Sequence, residues 1–288
     1  MASKSPDTKA KNPFFNDGNM YEKLVGGTAS RLAAAALSHL PLSTYTSTSR
    51  ILDSACGPGT ATKILLSPSA APSSVRGLPI DPPPRVTGID LAEPMIEQYR
   101  ANASALGWAT AESYVQDSQD LSRFPDATFD AVVMSLGIFA LADATAGARE
   151  MLRVLKPGGH AVVTTWKTRR PRAIMGLALE AVRPGSDVPD LDPKWSTSEH
   201  LAAVMEGGGF RVENTRLYEE APNWALGSLD GLLEGLRSPF WTAAYCKGWS
   251  EGEMSRWKEE MEKQLTEKER ATGTLEMVAH VCVARKDA

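Results

Sequence analysis

Hydrophobic and polar positions along this chain follow two periods, and the change from one to the other divides it. Residues 1–12 are polar with no apolar rhythm and are expected to form a disordered tail. Residues 13–49, beginning "NPFFNDGNMYEKLVGGTASRLAAAAL", carry one or two helices, the second alanine-rich and ending before Pro41. From Arg50 onward, short β-rich runs alternate with helix-length amphipathic stretches. The runs are Arg50–Ser54, Arg85–Ile89, Glu112–Val115, Phe129–Ser135 and His160–Trp166, and the stretches are Thr60–Leu66, Pro94–Leu106 and Asp143–Leu155. That alternation predicts βαβ units on a parallel sheet, a doubly wound α/β architecture. In "LKPGGH", Leu155 to His160, a Pro and Gly stop ends the last of these helices and turns into a strand. Further on come a helix at Thr197–Glu206, a "GGGF" turn, a strand at Arg211–Tyr218 and a final strand at Glu276–Lys286.

This divides the chain into an N-terminal helical lid at 13–49, a core at 50–220, a helical cap at 221–274, and a final core strand at 275–288. The cap is the aromatic-rich part, with Trp224, Phe240, Trp241, Tyr245, Trp249 and Trp257. Six prolines in residues 67–84 exclude helix and interior strand, so that segment reads as a solvated surface insertion of the core.

Composition narrows the function classes. A chain of 288 residues that is 42% hydrophobic can bury one substantial core. Its 31 Lys and Arg against 35 Asp and Glu are interspersed, which offers no stripe for nucleic acid or a membrane surface. Cys56, Cys246 and Cys282 are odd in number and far apart, so neither a disulfide framework nor a structural zinc site is expected. No metal site is expected elsewhere. The N-terminus has no apolar signal region, and the most apolar stretch, Ala131 to Ala142, is too short to span a bilayer. A cytoplasmic protein, monomeric or homodimeric, is the expectation.

Ligands of open parallel sheets sit at the carboxyl ends of the strands. The residues at those ends are Asp53 with Ala55, Gly57 and Gly59; then Asp90; Asp117 and Ser118; Ser135, Leu136 and Gly137; and Thr165 with Trp166. Glycines there permit tight turning and close approach of a ligand to the backbone. An acid ending the second strand can accept hydrogen bonds from a ribose diol, although Asp53 and Asp90 stand 37 positions apart against the usual ~20. The proline-rich insertion supplies the excess.

The set "ILDSACGPGT", "VTGIDLAEPMIEQYR", "VQDSQDL", "FDAVVMSLGIFAL" and "MLRVLKPGGHAVVTTW" resembles the class I S-adenosylmethionine-dependent methyltransferases, in particular their ubiquinone and menaquinone methyltransferase-like branch. A lesser resemblance, carried by "SACG", "TTW" and "SPFW", is to the fungal gliotoxin dithiol S-methyltransferase group. The resemblance implies a Rossmann-like, mostly parallel seven-stranded sheet with an antiparallel last strand, and S-adenosyl-L-methionine as cofactor. It implies that Asp53, Ala55 and Gly57 line the methionine moiety and that Asp90 takes the ribose hydroxyls. Leu91 and Met95 would sandwich the adenine, with Asp117 and Ser118 at its amine, while Ser135 and Gly137 lie under the sulfonium end. Tyr21 is the matching candidate for a closing tyrosine. Phe14, Phe15, Trp166, Trp224, Phe240 and Trp241 are the candidates for substrate contact. One departure is Ala55, where the family commonly has glycine.

The expected activity is methylation of a small-molecule metabolite on sulfur, oxygen or nitrogen, in fungal-type secondary metabolism. Three rivals use the same residues: a cofactor-binding enzyme that promotes a rearrangement or cyclisation, a nicotinamide-dependent oxidoreductase, and a non-enzymatic interaction platform. The G-x-G-x-x-G spacing of the second is absent. No histidine recommends itself as a base; His200, on the expected edge, reads as an exposed helical residue.

Overall fold

The computed structural model describes residues 27–67, 78, 80–186 and 191–288. The expected tail, Phe14, Phe15, Tyr21 and most of the proline-rich insertion lie outside these residues. In chain order the regular elements are α1 (Thr28–Ser38), β1 (Arg50–Ser54), α2 (Thr60–Leu66), β2 (Arg85–Asp90), α3 (Glu93–Leu106), β3 (Ala111–Val115), β4 (Phe129–Ser135), α4 (Ala144–Val154) and β5 (Leu155–Arg169). They continue with α5 (Arg170–Val182), α6 (Ser198–Gly207), β6 (Thr215–Glu220), β7 (Trp224–Ala225), α7 (Leu229–Leu236), α8 (Pro239–Tyr245), α9 (Glu251–Lys263), α10 (Glu267–Thr272), β8 (Thr274–Leu275) and β9 (Met277–Arg285).

Seven strands form one sheet in the order β3-β2-β1-β4-β5-β9-β6. The first five are parallel, and β9 runs antiparallel between β5 and β6. The strand order reverses at β1, and the connections that leave the paired strands β1 and β4 run to opposite faces of the sheet, α2 to one and α4 to the other, which marks the switch point where such sheets hold ligands. Alternate residues of the central strands feed two apolar layers. Ile51, Val133, Val162 and Val281 face α1, α2 and α5, and Leu52, Val132, Val163 and Cys282 face α4 and α6. Residues 221–274 hold α7 to α10 beside a two-stranded ribbon of β7 and β8. Their Trp224, Tyr245 and Trp257 join the first layer.

Three expectations need correction. "LKPGGH" is no simple turn: β5 starts at Leu155, and the register moves from Phe129–Leu155 to Ala131–His160, so the extra residues bulge out at Gly158. Beyond Trp166 the strand continues to Arg169, because nothing breaks it until Pro171 opens α5. The strand expected at Arg211–Tyr218 begins only at Thr215, since Val212–Asn214 is a 3-10 turn whose Asn214 amide donates to Asp287 at 2.6 Å.

The loop from β3 to β4 carries two of the candidate site residues and is held from α4 by one side chain. The Arg153 guanidinium donates to Glu150, to Asp126, and to the carbonyls of Leu121 and Phe124, all at 2.8–2.9 Å. Glu150 accepts in turn from the Leu121 N–H at 2.7 Å. A lysine cannot reproduce a planar fork with five donors. Arg153→Lys is therefore expected to lower unfolding free energy by about 2 kcal/mol in urea titrations, with the slope of the transition unchanged.

Candidate functional site

The site is built on the turn between β1 and α2, where Ala55, Gly57 and Gly59 have φ of 53°, 53° and 90°. Left-handed backbone is the condition for reversing direction so quickly, and glycine is the residue that adopts it without penalty. Ala55 therefore departs from the family pattern at a strained position. Its methyl group costs backbone energy as well as space, on the order of 1–2 kcal/mol. The Cys56 N–H donates to the Ile89 carbonyl and the Gly57 N–H to Asp90 Oδ2, each at 2.9 Å, which pins the turn to the end of β2.

Two glycines are fixed by what lies behind them. A Cβ on Gly59 would meet the Tyr99 ring at 2.8 Å and Trp108 at 3.0 Å, and one on Gly88 would meet Tyr99 at 2.5 Å. Tyr99, from α3, thus fills a slot cut by two missing side chains. Gly57 differs: the nearest atom to a Cβ there is Met95 Sδ at 4.0 Å, so that face of the turn is open for a ligand to approach.

Asp53 is 2% exposed and points into the turn. Its Oδ2 accepts from the Thr62 N–H at 3.0 Å and the Thr62 hydroxyl at 2.7 Å, which satisfies a donor in the first turn of α2. Burial raises its pKa to about 7, against the lowering effect of the Thr62 bonds, and the neighbouring Asp90 charge adds to the rise. The unfolded value is about 3.9. Asp53 thus contributes stability that is full below about pH 4 and lost as pH rises through about 7. Asp90 is raised in the same direction by burial, although Ala92 N–H donates to Oδ1 and Gly57 N–H to Oδ2. Each Asp90 oxygen keeps a further lone pair, which a ribose diol can use. Between the two acids, the buried Cys56 thiol is held well above its ordinary value, first by burial and then by both charges.

The other expected residues gather around this turn unequally. Leu91 is 59% exposed and Met95 is buried beneath the loop, so the apolar face for a flat ring is supplied mainly by Leu91. Asp117 already accepts from the Gln119 N–H and side-chain amide at 2.9–3.1 Å. Buried Ser118 bonds Ser54 at 2.9 Å and ties the loop after β3 to β1. Leu136, between Ser135 and Gly137, is left-handed at φ 61°, and its N–H donates to Thr164 Oγ1 at 2.9 Å. A Cβ on Gly137 would lie 2.6 Å from the Ala55 methyl, so the turns after β1 and β4 touch here.

Among the substrate candidates, Trp166 is buried towards the carboxyl end of β5 and Trp241 is half-buried against the same apolar layer. Trp224 is 2% exposed under α7, where Gly235 makes room for its ring. The Phe240 side chain lies outside the described residues. His200 is not the exposed residue expected, because it packs edge-on against Trp195 with a buried Nε2. Sequence reading missed Thr62, Tyr99 and Thr164. Tyr99 stands four positions after Met95, a spacing that marks one helix face and nothing more. Among the described residues no group of three or more His, Cys, Asp or Glu can hold a metal, and no helix is long and apolar enough to cross a membrane.

Residues 51–159 match the family described as a methyltransferase domain. Methyltransferase tpcH of Aspergillus fumigatus is 29% identical over 204 residues, covering 67% of this chain and 69% of its own. The ubiquinone/menaquinone biosynthesis C-methyltransferase UbiE of Geotalea daltonii is 34% identical over 182 residues, 58% of this chain and 72% of its own. Among solved structures, the [4+2]-cyclase SpnF superposes with a TM-score of 0.53 over 90% of this chain and 82% of its own, at 19% identity, a likeness of fold alone.

The contact between the two turns gives a coupled prediction. Gly137 has φ −99°, which alanine tolerates, so Gly137→Ala fails only through the Ala55 methyl and Met134. Its expected cost is about 1–3 kcal/mol. Ala55→Gly alone should add about 0.5–1 kcal/mol by relieving the left-handed strain, net of unfolded-chain entropy. In the double variant most of the Gly137→Ala cost should disappear, which a double-mutant cycle of melting free energies reads directly.

Proposed function

The chain belongs to the class I S-adenosylmethionine-dependent methyltransferases, and from that membership we propose that it methylates a small, partly apolar metabolite on sulfur, oxygen or nitrogen, in fungal-type secondary metabolism. The observation that carries the substrate class is apolar side chain left half-buried after β4: Leu136 and Phe139 there, like Trp241 of α8, pack against the apolar layer that includes Trp166. Half-buried apolar surface at a strand end can receive an acceptor by burying its apolar part, at roughly 25 cal/mol per Å². Support comes also from the fungal source of methyltransferase tpcH and from the quinone biosynthesis named for UbiE.

The open turn at Gly57, the exposed Leu91 and the spare lone pairs of Asp90 suit a nucleoside with an amino-acid tail. We assign the ribose hydroxyls to Asp90, the adenine to Leu91, Met95, Asp117 and Ser118, and the methionine end to Asp53, Ala55, Gly57, Ser135 and Gly137. When bound, S-adenosylmethionine supplies an electrophilic methyl group. The chain's own contribution is to hold an acceptor atom in line with that methyl and to keep water out. Lid segments 13–49 and 221–274 are assigned to closure, with Phe14, Phe15, Tyr21 and Phe240 among them. The protein is taken to work in the cytoplasm as a monomer or homodimer.

A protein base is not part of this reading. His39 is engaged with Glu220 at 2.6 Å and stacked on Tyr218, and His280 bonds the Ser196 carbonyl at 3.0 Å. His160 lies at the entry end of β5, opposite the site. Burial lowers the pKa of His200.

Mass spectrometry of the purified protein with labelled methyl donor and candidate metabolites tests the reading and identifies the acceptor atom, carbon included. Conversion of a metabolite without S-adenosylhomocysteine would replace methylation by a rearrangement or cyclisation. Asp90→Ala should weaken S-adenosylhomocysteine binding in calorimetry by about 1.5–3 kcal/mol, since the ribose loses a charged acceptor. His200→Ala should alter turnover by far less than the roughly 100- to 10,000-fold lost with a general base.

A further inference from the structure

Behind the cofactor turn, three elements are joined by hydrogen bonds that all point one way. The Tyr99 hydroxyl on α3 lies 3.2 Å from Thr62 Oγ1 and donates to it. The Thr62 hydroxyl on α2 has one proton, and it goes to Asp53 Oδ2 on β1 at 2.7 Å. The Thr62 N–H donates to the same oxygen at 3.0 Å. Tyr99, Thr62 and Asp53 are 1%, 0% and 2% exposed, so water does not compete along the chain. Asp53 Oδ1 takes no hydrogen bond among the described residues.

The direction of these bonds has a chemical consequence. A proton on Asp53 Oδ2 would face two donors and find no acceptor unless the Thr62 hydroxyl gave up its bond and turned to accept. Protonation is thereby disfavoured on Oδ2, and the aligned donors stabilise the carboxylate, which leaves Oδ1 as the oxygen with no partner among the described residues and both lone pairs to offer. We propose that Tyr99 and Thr62 are positioning residues for cofactor binding: a buried donor relay that favours the ionised form of Asp53 and leaves Oδ1 for the ammonium group of the bound S-adenosylmethionine. This rests on the assignment of the methionine end to Asp53.

Alternatives in the surroundings are few. The other titratable groups around Asp53 are Asp90 from β2, Cys56 from the turn and Tyr99 itself. Cys56 and Tyr99 are both raised by burial and stay neutral through the physiological range. Asp90 opposes ionisation of Asp53, so the relay is what works against burial and a like charge together. Packing alone needs only the Tyr99 ring, which fills the slot at Gly59 and Gly88; the hydroxyl is the part that the ring's structural role leaves unexplained.

The test is the pH profile of S-adenosylhomocysteine binding by calorimetry from pH 5.5 to 8.5, on the full chain, with melting temperature recorded at each pH. An ammonium ligand prefers the carboxylate, so wild-type affinity should fall as pH drops through the Asp53 pKa of about 7. Tyr99→Phe keeps the ring and loses the terminal donor. Its midpoint should move up by about 0.5–1 pH unit, with affinity near pH 6.5 falling about 3- to 10-fold and converging on wild type above pH 8. Thr62→Val should shift it further, and Thr62→Ser should restore it. Asp53→Asn should weaken binding at every pH and flatten the profile. If Asp53→Asn binds like wild type, the placement of the cofactor's amino-acid end is wrong and the relay falls with it. If Asp53→Asn is weakened but Tyr99→Phe follows the wild-type profile, the placement stands and the relay is refuted.

Discussion

A parallel strand must hand its chain to a helix and get out of the way of its own ligand, and in this protein that constraint is concentrated in the turn after β1. Three left-handed residues within five positions leave the backbone with almost no freedom. The turn is held from three sides: by hydrogen bonds to the end of β2, by the Tyr99 ring against Gly59 and Gly88, and by the Ala55 methyl against Gly137. Each brace comes from a different crossover unit. The site therefore exists only when β1, β2, α3 and β4 are all in register, and its geometry reports the integrity of half the sheet.

Much of this was legible in the sequence. Arg50–Ser54, Phe129–Ser135 and Thr60–Leu66 are read with the bounds the structure has, because strong apolar periodicity and a Gly-Pro-Gly break coincide there. The site's acids were legible as well, since strand ends in an open sheet are where ligands go. What was not legible is contact across the fold. Nothing near Thr62 in sequence announces Asp53 as its partner, and the Arg153 fork serves a loop some thirty positions away. Helix α5, unread, follows β5 without a break, and its basic start "RRPR" hides an amphipathic run behind a proline. The burial of Trp224 was hidden for a related reason: an aromatic residue reads alike in sequence whether it lies at the surface or in the layer beneath.

The electrostatics follow the same division of labour. One buried carboxylate, one half-buried carboxylate and a buried thiol lie around one turn, and in each case desolvation outweighs the stabilising bonds. Such a turn is costly to assemble without a cation to share. The arrangement is complementary to a ligand that brings a positive charge and hydroxyl donors together, and the ordinary principle of preorganisation then applies: the polar groups are already fixed when the ligand arrives.

The position of β9 bears on how the chain reaches this state. It is inserted between β5 and β6, and Thr165 pairs with His280, 115 positions later. During synthesis, β1 to β5 emerge long before the strand that will cover them. For that interval β5 presents a bare, apolar edge, and β6 has no neighbour to pair with. At a synthesis rate of roughly 5–20 residues per second the exposure lasts several seconds, far longer than a strand needs to find a wrong partner. Until residues 277–285 arrive, the edge of β5 is thus the place on the nascent sheet most open to a wrong pairing.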